Sequence, residues 1–216
     1  MKATEEIIAA VKSGDEDRLI KLLSSEPSLI NARTEKGESL VLLSVYHRRP
    51  EILGIILGRD YAMDVFEAAA TGNVIRLGEL INEEPELLNS YSPDGFTPLG
   101  LACFFGHLGV VQLLISLGAN LNISSKNSFK VMPIHSSVAA ANYEITRELL
   151  KNGANPNVRQ QEDITPLHQA AIHGDEKILT LLLEYGADVF ARMSNGKTAK
   201  DLATEKEHTE IIKLLL

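Results

Sequence analysis

Apolar residues recur along this chain with a helical period, but never for more than about a dozen positions before a glycine or a charged cluster interrupts them. The pattern is clearest between Asp163 and Asp188, where DITPLHQAAIHG and ILTLLLEYGAD are joined by the charged bridge DEK. Pro166 suits the first turn of a helix, where its missing N–H has no intrahelical partner to lose, and Thr165 before it suits the N-cap. Ala170 and Ala171 keep that helix thin, and Gly174 stops it. Leu179, Leu182 and Leu183 then return at helical spacing, and Gly186 supplies a left-handed stop. Two helices this short cannot bury an apolar face of their own, so the question is what they pack against.

Repetition answers it. The residues predicted to open each thin helix are Glu5, Ser39, Met63, Thr97, Met132, Thr165 and Thr198, at intervals of 34, 24, 34, 35, 33 and 33. Five of the six lie close to 33, a period that marks stacked supersecondary units. The clearest copies are DGFTPLGLACFFGHLGVVQLLISLGANLN, KVMPIHSSVAAANYEITRELLKNGANPN and DITPLHQAAIHGDEKILTLLLEYGAD. On these residues the chain resembles the ankyrin-repeat family, strongly from Asp94 to Met193 and more faintly before it. The resemblance implies an all-α solenoid of about seven helix-turn-helix units with β-turn fingers between them.

The N-terminal half carries its own echo. EPSLINARTEKGESL returns as EPELLNSYSPDGFTPL 58 residues later, a two-unit block whose second member is short. The interval of 24 leaves LGRDYAMDV to join helices that elsewhere have a full finger between them. One finger is therefore expected to be shortened near residue 60, with the stack kinked or widened there. The predicted units are 4–34, 35–61, 62–91, 92–124, 125–157, 158–190 and 191–216, together a single domain over 1–216. Each unit shields its neighbours, so stability is a sum of unit and interface contributions. The last reads as a C-terminal cap, with Lys200, Glu205, Lys206 and Glu207 placed to meet water.

Composition narrows the function. A chain of 216 residues can bury a substantial core, and the absence of Trp with only 5% aromatics points away from a sandwich or barrel. The net charge of −8 disfavours nucleic acid and anionic membrane as partners, since both demand a basic face. No run approaches a membrane span, and MKATEEIIAAVKSGDED is too acidic for a signal peptide. The single cysteine, Cys103, has no internal disulfide partner. These features lead to the expectation of a cytoplasmic monomer.

Candidate chemistry is sparse. His135 and His168 occupy the T-P-L-H slot and His107 the G-H slot, where each imidazole is expected to bond neighbouring backbone and tie units together. Cys103 and His107, four apart on one helix, make half of a metal site with no second pair to complete it, and Cys103 reads as a small buried hydrophobe. His173 and Asp175 flank Gly174 without a nucleophile or an oxyanion partner nearby. Asn31, Asn89, Asn122 and Asn157 recur after each outer helix, where their side chains can brace turns. No catalytic residue, cofactor or metal is assigned, and the chain is not expected to be an enzyme.

What remains is surface. The family resemblance implies a concave groove, formed by the fingers and the exposed side of the thin helices, that holds other proteins. The positions that close each thin helix alternate in bulk from Tyr46/His47 through Ala70/Thr71, Phe104/Phe105 and Ala139/Ala140 to Ile172/His173, which suggests ridges with pockets between them. Phe104 and Phe105 depart from the small or polar residues usual there. Phe96 and Tyr91 belong to the finger of the same unit and Phe129 to the next, whose finger is about two residues longer and carries Lys126 and Lys130. Grouped exposed aromatics on a rigid scaffold mark interface hot spots. The expected partner-binding set is therefore Tyr46, His47, Tyr91, Phe96, Phe104, Phe105, Phe129, Ile172 and His173, and Phe105→Ala is expected to leave folding intact. The ligand would be a protein or peptide, held by a scaffold, adaptor or regulator. The alternative is an acidic inhibitor that masks the basic surface of an enzyme or DNA-binding factor.

Overall fold

In the computed structural model, which describes residues 2–215, short helices begin at side chains that accept backbone N–H bonds, and several stop at glycines that turn left-handed. They come in pairs: α1 (Lys2–Ser13) with α2 (Glu16–Ser25), α3 (Leu40–Tyr46) with α4 (Pro50–Leu57), α5 (Val65–Thr71) with α6 (Val74–Glu83), and α7 (Pro98–Phe105) with α8 (Leu108–Ser116). Then follow α9 (Pro133–Ala139) with α10 (Tyr143–Lys151), α11 (Pro166–His173) with α12 (Glu176–Glu184), and α13 (Ala199–Glu205) with α14 (Thr209–Leu214). Thr97 accepts from the Gly100 N–H at 3.1 Å and Ser39 from the Leu42 N–H at 3.2 Å. Asp15, Asn73, Asn142 and Asp175 cap the outer helices in the same way, each cap being worth about 1 kcal/mol. At Gly174 the chain turns with φ 70°, and a Cβ there would sit 2.9 Å from the His208 ring, so the position needs glycine twice over.

The first helix of each pair packs on its counterparts in an inner row, and the second helices form an outer row. Over the described residues the molecule is an all-α solenoid of seven helix pairs. Between pairs, short turns close as fingers: Thr34 N–H to Glu38 O, Ser92 to Phe96, Ser125 to Val131, Gln160 to Ile164 and Met193 to Lys197, all at 2.8–3.0 Å. The Ser125–Val131 finger is the one two residues longer than its neighbours. Successive fingers are sewn together by Lys126 N–H to Gly95 O, Gln161 N–H to Phe129 O and Ser194 N–H to Glu162 O.

No such finger separates α4 from α5. Residues 58–64 run directly between them, and Asp64 opens α5 with its carboxylate on the Phe66 and Glu67 N–H groups. The cap that opens α5 is thus Asp64, one residue beyond the expected Met63. Glu67, fully buried, completes the capping box by accepting from the Asp64 N–H at 2.8 Å and also takes the Tyr61 hydroxyl at 2.5 Å.

The gap divides the core. Ile7, Leu19, Leu40, Ile52 and Ile56 belong to one cluster over the first two pairs. Leu77, Leu99, Leu114, Ile145 and Leu182 belong to another, which Leu42 joins from α3. Every consecutive pair of outer helices packs closely except α4 and α6. Near residue 60, where the finger is missing, the outer row is thus loosely packed.

A candidate partner-binding surface

Along α7 every residue from Pro98 to Cys103 is buried, and Phe104 then breaks out with 47% of its surface exposed. Phe105 lies half-buried against the main core. The two rings meet edge-on, centroids 5.1 Å apart, and Phe105 in turn meets Tyr46 of α3 at 5.3 Å, a spacing typical of favourable aromatic pairs. This second contact spans a whole helix pair. It is possible because α5, which lies between, carries Ala68, Ala69 and Ala70, all fully buried. The rings on either side of α5 thus touch across its small residues, so the expected pocket does not separate them, and Ala70 and Thr71 line a smaller cavity beside Arg48, Arg49 and His107.

Tyr46 is fixed from its other end as well, donating its hydroxyl to Asp94 Oδ2 at 2.5 Å. Burial first, then the bond to Asp94 and the fields of Asp94 and Glu38, push the phenol far above its ordinary value, so it stays a donor at any physiological pH. Asp94 belongs to the finger after α6, so the bond crosses the fingerless pair. At the same seam Gly37 stands against Pro93, close enough that a Cβ on Gly37 would lie 2.9 Å from the proline ring. The fingers of the second and fourth pairs have closed over the third.

The remaining predicted residues divide. Phe96 is half-buried against the core, and with Tyr46 and exposed His47 it lines a cavity at this seam. Tyr46, His47, Phe96, Phe104 and Phe105 therefore form one neighbourhood. Tyr91 is an inter-finger tie, its hydroxyl donating to Ser124 O at 3.2 Å and its ring lying 4.2 Å under Lys126 Nζ. Phe129 projects from the longer finger with 59% of its surface exposed. Ile172 and His173 end α11, separated from α7 by α9, and the fold does not bring them to the aromatic group.

Of the histidines expected to tie units together, His135 and His107 do so and His168 does not. His135 Nε2 lies 3.1 Å from Ile164 O in the next finger, and burial lowers its pKa to about 4. His168 Nδ1 meets the Thr165 hydroxyl at 2.8 Å, its Nε2 has no hydrogen-bond partner, and burial lowers its pKa too. His107 Nε2 reaches back to Ala70 O at 2.9 Å. Sequence reasoning missed that His208 and Arg49 do the same to Ile172 O and Lys12 O, although both precede an outer helix as His107 does. Asn89, Asn122 and Asn157 accept from the N–H groups of Asn120, Asn155 and Asp188 at 2.8–2.9 Å. Asn31 makes no such bond among the described residues, since no finger follows α4 to supply the N–H. Buried Glu67 was also missed, though Asp64 and Glu67 stand at capping-box spacing. Cys103 is fully enclosed, which pushes its thiol up. Among the described residues no group of three or more His, Cys, Asp or Glu could hold a metal, and no helix is long and apolar enough to cross a membrane.

Comparison with known proteins agrees with this geometry. The model of a single ankyrin repeat matches residues 94–126, and that of three consecutive ankyrin repeats matches 134–216. Human transient receptor potential cation channel subfamily A member 1 is 29% identical over 94% of this chain and 19% of its own length. Mouse ankyrin repeat and SAM domain-containing protein 6 is 32% identical over 70% of this chain and 14% of its own length. The chicken nuclear factor NF-kappa-B p105 subunit is 29% identical over 74% of this chain and 17% of its own length. The chain thus spans less than a fifth of each of these relatives.

Proposed function

The chain belongs to the ankyrin-repeat family, and from that premise we propose that it is a non-catalytic module holding a protein or peptide along its inner helices and fingers, as a scaffold, adaptor or regulator. Ankyrin repeats are in general protein-interaction modules, and function within such a shared scaffold resides in its surface residues. The observation that carries the reading is the ladder Phe104–Phe105–Tyr46, a run of touching rings whose outermost member is left half in water on a rigid stack. Large aromatics presented in this way are typical anchors of interfaces, each worth about 2–4 kcal/mol when truncated in the complex.

Peptides selected on the wild-type protein from a displayed random library provide the test. Phe104→Ser is expected to weaken the selected peptides about thirtyfold or more while the thermal melt stays in place. Undiminished binding by a folded Phe104→Ser variant would remove the aromatic surface as the site. Affinity indifferent to Phe104 but falling steeply with salt would favour instead the masking of a basic surface by this acidic chain.

A further inference from the structure

The seam left by the missing finger contains more than aromatic contacts. A cavity of about 680 Å3, of the size that holds small ligands and side chains, lies between α1, α3 and the two fingers that meet there. Ile8, Ala9, Leu43 and Phe96 give it an apolar wall, and Tyr46 joins it to the ring ladder. Its rim carries the carboxylates of Glu5, Glu35, Glu38 and Asp94 against only two lysines, Lys12 and Lys36. None of these six takes part in an ion pair among the described residues.

Asp94 and Glu38 are instead held by hydroxyls. Asp94 accepts from Tyr46 and Ser92, and Glu38 accepts from Thr34 at 2.9 Å. A neutral donor fixes a carboxylate in place and leaves its negative charge uncompensated, so the cavity combines positioned anions with an apolar, aromatic wall. That combination complements one kind of side chain. A guanidinium is planar, weakly hydrated, able to stack on a ring and to fork onto carboxylates, and its alkyl stem gains from apolar contact.

Resting on the reading of this chain as a binding module, we propose that the cavity receives an arginine side chain from an extended partner peptide, its head group between Glu38 and Asp94 and its stem along Leu43 and Phe96. The site arises from the fingerless pair, because only with that finger gone can Asp94 reach the hydroxyl of Tyr46 and close the cavity on one side. An arginine seated here would be continuous with an apolar residue placed on Phe104.

The test is a titration of the 15N-labelled protein with acetyl-Gly-Arg-Gly-amide, followed by amide chemical shifts. Saturable shifts are expected at Gly37, Glu38, Tyr46, Asp94 and Phe96. The citrulline peptide, equal in shape and uncharged, is expected to produce none of them, and the lysine peptide to bind several-fold more weakly. Glu38→Gln and Asp94→Asn, both isosteric, are each expected to weaken the response about tenfold or more, with the rest of the spectrum unmoved to show an intact fold. Glu5→Gln, whose side chain holds no finger together, serves as a third variant should Asp94→Asn perturb the seam. Citrulline or lysine binding as well as arginine, shifts scattered over the surface, or unchanged affinity in the variants would overturn the assignment. Loss of the arginine response with Phe104-dependent peptide binding intact would remove this site alone; loss of Phe104-dependent binding is the separate failure of the module reading.

Discussion

Phe104 and Phe105 are neighbours of one residue type in one motif slot, yet they differ in what they do for the fold. The periodic pattern places both at the end of a thin helix; which ring turns inward is decided by the small residues of α5, which let Phe105 reach Tyr46, a feature of the preceding pair that no local pattern records. The expectation that Phe105→Ala leaves folding intact and weakens only partner binding is therefore revised. It should cost about 1–3 kcal/mol in chemical denaturation, because the ring packs on both Tyr46 and the core, whereas Phe104→Ala, which loses one edge-on contact and little burial, should cost no more than about 1 kcal/mol. The role of His135 was legible, since the T-P-L-H slot implied backbone bonding, but its pH consequence needed burial. Its pKa falls from 6.5 to about 4 on folding, so the unfolded chain binds a proton that the native state refuses. The stabilisation is whole above about pH 6.5 and is lost as pH falls toward 4, amounting to about 2 kcal/mol between pH 7 and pH 5. Urea midpoints for His135→Gln should fall less steeply over that interval than for the wild type; parallel curves would contradict it.

At the scale of elements, the helices and their stops follow from caps, prolines and glycines that act within a few residues, which is why the pairs from Asp94 onward were read with little error. Leu182, fully buried where α12 faces its neighbours, illustrates the packing that the leucine period implies. Leu182→Ala is expected to cost about 2–5 kcal/mol, read from the denaturation midpoint at unchanged slope. The interval of 24 disclosed that a finger was absent but not what replaced it. A deletion appears in sequence as a shorter count. The meeting of Gly37 with Pro93 and of Tyr46 with Asp94 joins segments more than forty residues apart, and only the assembled stack defines those contacts. The one-residue error at Met63 has the same origin, because the register there was carried over from pairs that do possess fingers.

For the whole molecule, the decisive feature is that apolar burial falls into two clusters joined mainly through α3 and α5. In a stack whose stability is a sum over neighbours, the weakest interface decides which part opens first. Native-state hydrogen exchange is expected to show α1 to α4 opening together at a lower free energy than α7 to α12. A single common opening energy for both groups would show that the seam is no weaker than the other interfaces.

The bond between Tyr46 and Asp94 acquires a mechanical meaning from its position. Pulled apart by its two ends, the stack would part at the seam, where separating α4 from α6 tears the least packing, and this hydroxyl–carboxylate pair with its adjoining rings would act as a clasp that must be undone before the first two helix pairs swing free. Whatever sits in the neighbouring cavity would then set the tension at which the clasp releases.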